Sequence, residues 1–419
     1  MSVTLTMIPQ RITPAANTIN WSFGSNLSSI VYFDVKIYEA SSSGLIAALK
    51  YHTTPDKPNG ATVDISGILK SYVQPEFKDY TNNLVDTFTK PVFKYYLTIT
   101  ERYLSGNNIL VGATFTSSVY TIFHAELDRV SFRYYRAPEY LVAAGKTINF
   151  MTTKPNKGYV NFYSDEGLYF LNESFPSLRA SYRFYDKAGT EIFSHDTLVT
   201  ASTKLLHRIN CSPSFLASEL GVEFENVSSY RVFLSDNTGT ILSEVRVFNF
   251  VELNCNQIPV NIYWQNKYGG IDTYQFINPI QDLQVSKVSV KKNPYRKTFI
   301  GSIVDTDNNV FNAVEEIINS NGTVNMTVNT KQLSDKESTW LSSILTSKRI
   351  WMRAQMDFYI PLTLVESSYQ ASQRKYLDTP NTKKFTFKLS EGMDIDFRAT
   401  PINTTPAVIA GAEADFYVA

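Results

Sequence analysis

The chain has 419 residues, 43% of them hydrophobic, enough for several cores and roughly two to four domains. Lys plus Arg and Asp plus Glu number 39 each, so no net field draws in nucleic acid or an anionic membrane. Neither specific nucleic-acid binding nor membrane insertion is expected, and two cysteines, Cys211 and Cys255, exclude a disulfide framework and suit buried thiols.

The N-terminal stretch from Met1 to Pro9 has no basic region followed by an apolar core, which predicts no signal peptide and synthesis in a cytoplasm. The Asn-x-Ser/Thr triplets at Asn26, Asn172, Asn226 and Asn321 then carry little meaning. Val31 to Tyr38 alternates apolar and polar residues as a half-buried strand does, Gly44 marks a turn, and Leu45 to Tyr51 returns. Asp64 to Val73 reads as a short helical unit, and Phe93 to Thr100 with Ile109 to Phe115 reads as a second hairpin around Gly106 and Asn107. The same order recurs further along. Leu178 to Tyr185 and Glu191 to Leu198 flank Asp186-Lys187-Ala188-Gly189, Ser212 to Leu216 opens a helix, and Tyr230 to Leu234 with Ile241 to Phe250 flank Asp236-Asn237-Thr238-Gly239. Between the two units, Arg129 to Tyr140 reads as a strand with one aromatic face.

A different pattern begins near Leu253. Pro259 to Trp264 and Ile271 to Phe276 form a hairpin whose tip carries Gly269-Gly270. Strands are predicted near Val285–Lys291, Thr298–Val304 and Thr323–Val328, then at Ile350–Gln355, Tyr359–Val365, Lys383–Leu389 and Ile395–Arg398. One helix interrupts them, near 335–346: Ser334 is its N-cap, Glu337 completes a capping box, and Trp340, Leu341, Ile344 and Leu345 form its apolar face. Thr400 to Ala419 has no periodicity and reads as an extended arm. The expected fold is therefore mainly β. Tandem immunoglobulin-like β-sandwiches at 1–125 and 126–252, the second a duplication of the first, precede a β-rich third domain at 253–400 and an arm at 401–419.

Chemistry-bearing motifs are sparse. His52, His124, His195 and His207 have no metal spacing, and no cofactor is expected. Asp305, Asp307, Asn309 and Glu316 mimic positions 1, 3, 5 and 12 of a calcium loop, but Val310 stands where that loop needs Gly, and a polar turn is the simpler reading. Nucleophile, metalloprotease and phosphate-loop motifs are missing, so no enzyme is expected. The adjacent acidic pairs Glu315-Glu316, Asp394-Asp396 and Asp165-Glu166 are what a glycosidase could draw on.

The segment Cys255 to Phe276, with Trp264, Asn266, Tyr268-Gly269-Gly270, Asp272 and Phe276, resembles a hairpin of virion structural proteins in crAss-like and related phages of gut Bacteroidales. Trp340-Leu341 with Ser347, Ile360-Pro361-Leu362, and Asp64 to Leu69 extend the resemblance. It implies a tail, neck-ring or baseplate component, assembled in the host cytoplasm and partnered by copies of itself in a ring and by other virion proteins, with no catalytic residues. A receptor- or glycan-binding tail protein and a polysaccharide depolymerase are the alternatives. Removing Thr400 to Ala419 is expected to leave a folded, soluble chain that assembles poorly.

Overall fold

A computed structural model describes residues 3–53, 57–80, 83–134, 148–172, 177–199, 205–253, 257–291, 296–297, 303–304, 315–353, 358–366 and 381–389. The chain is mainly β. Ten strands come from its first part: β1 (Val3–Met7), β2 (Ile12–Pro14), β3 (Asn20–Ser25), β4 (Ile30–Glu39), β5 (Leu45–His52), β6 (Gly60–Asp64), β7 (Val85–Phe88), β8 (Val92–Ser105), β9 (Asn108–Thr116) and β10 (Tyr120–Phe123). One sheet runs β2-β10-β8-β4-β5, with β9 also on β8, and faces a second sheet of order β1-β3-β6. Between them lie Trp21, Phe23, Phe33, Val35, Ile37, Leu97 and Ile99, the inward members of alternating strands.

The second part supplies β11 (Lys157–Val160), β12 (Gly167–Asn172), β13 (Leu178–Tyr185), β14 (Glu191–Val199), β15 (Leu205–Asn210), β16 (Ser229–Ser235) and β17 (Arg246–Phe250). Its larger sheet, β11-β17-β16-β13-β14, matches β2-β10-β8-β4-β5 position by position. The match extends to strand direction. The first pair is parallel in both sheets, Ile12 opposite Thr121 and Lys157 opposite Val247, while the remaining neighbours are antiparallel. Paired sheets with this order are immunoglobulin-like sandwiches. In both, a helical turn crosses over before the last strands: Ser66–Leu69 in the first, Pro213–Leu220 in the second. The second crossover opens with Pro213 after Ser212 and ends at Gly221, whose φ of 66° is left-handed.

The smaller sheets differ. In the second sandwich the order is β12-β15-β7, so the strand beside β15 comes from the first part of the chain. Leu206, His207, Arg208 and Ile209 pair with Phe88, Thr87, Asp86 and Val85. A segment inside residues 1–125 thus completes the sheet of the unit that follows.

The third part closes into a barrel, β18-β19-β22-β25-β24-β23. Its strands are β18 (Pro259–Gln265), β19 (Ile271–Lys291), β22 (Glu315–Asn329), β23 (Ile350–Arg353), β24 (Tyr359–Leu364) and β25 (Lys384–Leu389), and a small pair, β20 (Arg296–Lys297) with β21 (Ile303–Val304), lies between β19 and β22 in the chain. Trp264, Phe276, Met326, Val328, Phe385 and Phe387 fill the interior. The helix Asp335–Leu341 begins with the expected capping box, the Ser334 hydroxyl accepting from Glu337 N and the Glu337 carboxylate accepting from Ser334 N, and it buries Trp340 and Leu341 against this core.

Two local expectations are corrected. Arg129 to Tyr140 does not begin as a strand: Arg129–Arg133 is a helix, capped by Asp128, whose carboxylate accepts from the backbone and hydroxyl of Ser131. Residues 135–140 lie outside the described residues. The strands read as separate at Ile271–Phe276 and Val285–Lys291 are one, because the Asn278-Pro279 step, with Asn278 at φ 53°, is absorbed as a bulge. Ile395–Arg398, Asp394, Asp396, Cys255 and the arm 401–419 also lie outside the described residues, whereas Cys211 is a buried thiol.

Candidate assembly surface

The three β units share a core that belongs to none of them alone. Ile12, Phe88, Val92 and Phe123 from the first part, Met151, Tyr169 and Leu206 from the second, and Tyr263 and Ile271 from the barrel form one buried cluster. Part of the Pro259–Phe276 hairpin and the helix that follows it meets the second unit beside this joint. Trp264 and Trp340 lie 5.2 Å apart, and Trp340 Nε1 donates to Asp272 Oδ2 at 2.9 Å while Thr152 Oγ1 donates to Oδ1 at 2.6 Å. Asn266 Nδ2 reaches Met151 O at 2.8 Å. A Cβ on Gly269 would lie 2.5 Å from His124 O and one on Gly270 2.7 Å from Met151 O, so the hairpin tip is pressed against backbone from the preceding units.

Of the acidic pairs noted in the sequence, Asp165-Glu166 lies in this joint, and both members are engaged. Arg353 Nη1 is 3.0 Å from Asp165 Oδ2, Asn261 Nδ2 and the Tyr263 hydroxyl donate to the same oxygen, and Lys154 Nζ is 2.5 Å from Glu166 Oε1. Burial pushes the Glu166 carboxyl above its ordinary range against the pull of Lys154, and burial likewise raises Asp272 against its hydrogen bonds from Thr152 and Trp340. Carboxylates held this way fix three chain segments together. Glu315 and Glu316 sit on β22, remote from that network in sequence and exposed. Asp305, Asp307 and Asn309 lie outside the described residues, and among the described residues no three His, Cys, Asp or Glu side chains gather as a metal set.

What the sequence did not announce is a ribbon. Beyond Asp282, β19 leaves the barrel with β22 as its strand partner and continues to Lys291, paired with Glu315. Partner strands stop short of it: β18 reaches β19 only at Ile277, and β25 reaches β22 only at Asn325. At ~3.4 Å per residue the two-stranded stretch from Leu283 to Lys291 projects roughly 30 Å. The register puts Leu283 and Val285 on one face with Val324 and Ile317, and Leu283 lies over Gly322. Leu283 is 64% exposed and Ile317 51%. The opposite face near the barrel presents Asp282, Gln284 and Thr323.

A lone two-stranded ribbon is marginal in water, and its two outer edges are rows of backbone donors and acceptors. Comparable margins occur on the sandwiches. β5 and β14 are the outer strands of the two large sheets, with Leu45 and Leu198 exposed, and the β8–β9 hairpin presents Leu104, Ile109 and Val111. Val288 and Val290, both exposed, lie on the face opposite Val285, so the ribbon's apolar side chains are divided between its two faces. Among the described residues no helix is long and apolar enough to cross a membrane.

Comparison with known proteins gives neither a matching family model nor a matching curated protein. Among solved structures the chain is similar to a marsupial T cell receptor, at 10% identity and a TM-score of 0.19, over 78% of this chain and 96% of that one. It is similar also to CBD12 from CALX1.2, at 5% identity and a TM-score of 0.19, over 60% of this chain and 100% of that one. The strand order within the sandwiches, rather than either likeness, defines the fold.

Proposed function

We propose that this chain is a structural subunit of a bacteriophage virion, of the tail, neck-ring or baseplate kind, joined into a ring of identical copies and to other virion proteins. The observation that carries this reading is the ribbon of β19 and β22, whose exposed apolar side chains and outer edges, without a further strand among the described residues, ask for a partner. A second copy fits that role. The chain is electrically neutral, so copies do not repel one another at long range, and each copy offers exposed outer strands at β5 and β14 for strand addition. Ribbon on one side and sheet margin on the other make a head-to-tail contact, the kind that closes rings.

The test replaces Leu283 and Ile317 together, L283D with I317D, on a surface that makes no contribution to any core. Sedimentation velocity is expected to show a concentration-dependent oligomer for the wild type and a monomer of unchanged circular dichroism for the variant, and electron micrographs of the wild type should show closed rings. A wild type that stays monomeric at high concentration, or a variant that assembles as before, would sink the proposal.

A further inference from the structure

Strand β25 ends where the ribbon begins, and it is aimed along the ribbon's edge. Its last pairing with β22 sets Lys388 opposite Asn325, and Leu389, which closes the strand, is buried in the barrel core. The two strands are antiparallel, so a chain that keeps this register past Leu389 brings Ser390 to Thr323, Glu391 to Gly322, Met393 to Ser320 and Asp394 to Asn319. That part of β22 is bonded to β19 on one side, and its other edge, 315–324, has no strand among the described residues. The opposite neighbour of β25 offers no comparable track. β24 pairs with β25 over Leu362 to Leu364, and Pro361, next along, has no N–H to contribute to a ladder.

The side chains suit the same track. Phe385, Phe387 and Leu389 share the barrel's interior face, where Phe387 stands opposite Met326 and Val324 packs against the core. Through the β19–β22 register this face runs on into the ribbon as Leu283 beside Val324 and Val285 beside Gly322. Alternation carried past Leu389 puts Met393, Ile395 and Phe397 on that face, with Glu391 the one charged residue among them, and turns Asp394, Asp396 and Arg398 to the other. We infer that residues 390–398, which lie outside the described residues, are the third strand of the ribbon, added to the edge of β22 by the same copy of the chain. A third strand with an apolar face is what a two-stranded ribbon needs to stand in water. Met393 and Ile395 then widen the apolar surface begun by Leu283 and Val285, and the outer edge of β19 is the margin left for a neighbour. A single copy forms this strand, so the inference does not rest on ring assembly.

The test oxidises full-length double-cysteine variants in a Cys255→Ser background and reads the cross-link by peptide mass spectrometry and by migration on a denaturing gel. Asn319→Cys with Asp394→Cys, opposite each other in the register, should close a disulfide within one chain, whereas Asn319→Cys with Met393→Cys, which face opposite sides of the sheet, should not. A second measurement follows hydrogen exchange: amides across 393–398 should exchange at least about tenfold more slowly in the wild type than in a variant carrying Ile395→Asp and Phe397→Asp. No disulfide between positions 319 and 394, equally ready closure between 319 and 393, a bridge that joins two chains in place of one, or wild-type exchange as fast as the variant's would each overturn the assignment. A closed 319–394 bridge in a chain that sediments as a monomer would uphold the third strand while sinking the ring, so the two proposals fail separately.

Discussion

One five-residue turn occurs three times, and its third use shows how a residue type changes meaning with its surroundings. Asp186, Asp236 and Asn266 each accept, through Oδ1, backbone N–H bonds from two and four residues ahead, and each turn has a Gly at positive φ: Gly189 at 79°, Gly239 at 84° and Gly269 at 94°. Around Gly189 and Gly239 there is open space, whereas Gly269 abuts His124 O. Gly189→Ala and Gly239→Ala should therefore cost about 1–2 kcal/mol, the backbone term alone. Gly269→Ala should cost ~1–3 kcal/mol more, because backbone has to move. Urea denaturation of the three variants decides this, and equal losses would mean the tip is not clamped. Asp272 gives a second residue-scale expectation. Its folded pKa is raised above the ordinary 3.8, so the stability it contributes is full below that value and is lost as pH rises through the raised one. Each unit of elevation is worth ~1.4 kcal/mol. Asp272→Asn should flatten that part of the profile, so that the variant gains on the wild type as pH rises above about 4 in denaturation curves. A gap that does not change with pH would contradict it.

At the scale of elements, β7 matters most, since it fills a sheet position in the second sandwich from a loop of the first. It is locked there by charge. Arg208 on β15 faces Asp86 on β7, the two form a fully buried ion pair, and Arg208 Nη1 also donates to Lys78 O at 2.8 Å while its guanidinium stacks 4.0 Å from the Tyr80 ring. Removing one partner strands the other in the interior, so Asp86→Ala should cost about 3–5 kcal/mol, and amide exchange along Leu206 to Ile209 should speed up with it. Slow exchange retained in the variant would show that β7 docks without the pair. The sequence shows the hairpins β4–β5 and β13–β14 plainly, because strict alternation and a tight polar turn are local signals. Nothing local marks β7: its partner lies 120 residues away at the Thr87–His207 contact, and four residues carry too little periodicity to assign. The helix Arg129–Arg133 was hidden for a related reason, its aromatic content suggesting a strand while the single signal for a helix was Asp128 ahead of Ser131. Of the candidate surface, the hairpins that supply its outer strands were legible and the ribbon was not, since Asn278-Pro279 looks like a stop in sequence and is a bulge in the fold.

For the molecule as a whole, the decisive feature is that its joints are cores. Tyr263 of the barrel lies fully buried against Phe77 and Tyr80 from the first part, at ring distances of 5.4 and 5.3 Å, and its hydroxyl is bonded to Asp165 of the second. Interfaces between domains are usually more polar and permit relative motion. Here aromatic packing, the donated strand and the Asp165–Arg353 and Lys154–Glu166 pairs cross the same boundary. If copies join through the ribbon as proposed, force entering there would pass to the sandwiches through packed rings rather than through a linker. Scanning calorimetry of the wild type should accordingly show one cooperative transition in place of three. Tyr263→Ala, which removes the ring common to all three units at a cost of ~3–5 kcal/mol, should split that transition into two, the barrel melting apart from the sandwiches. Three separate transitions in the wild type would mean that the shared cluster packs without coupling. A single transition in Tyr263→Ala would instead put the barrel's coupling in the Asp165–Arg353 pair, and Arg353→Ala would then be the variant to split.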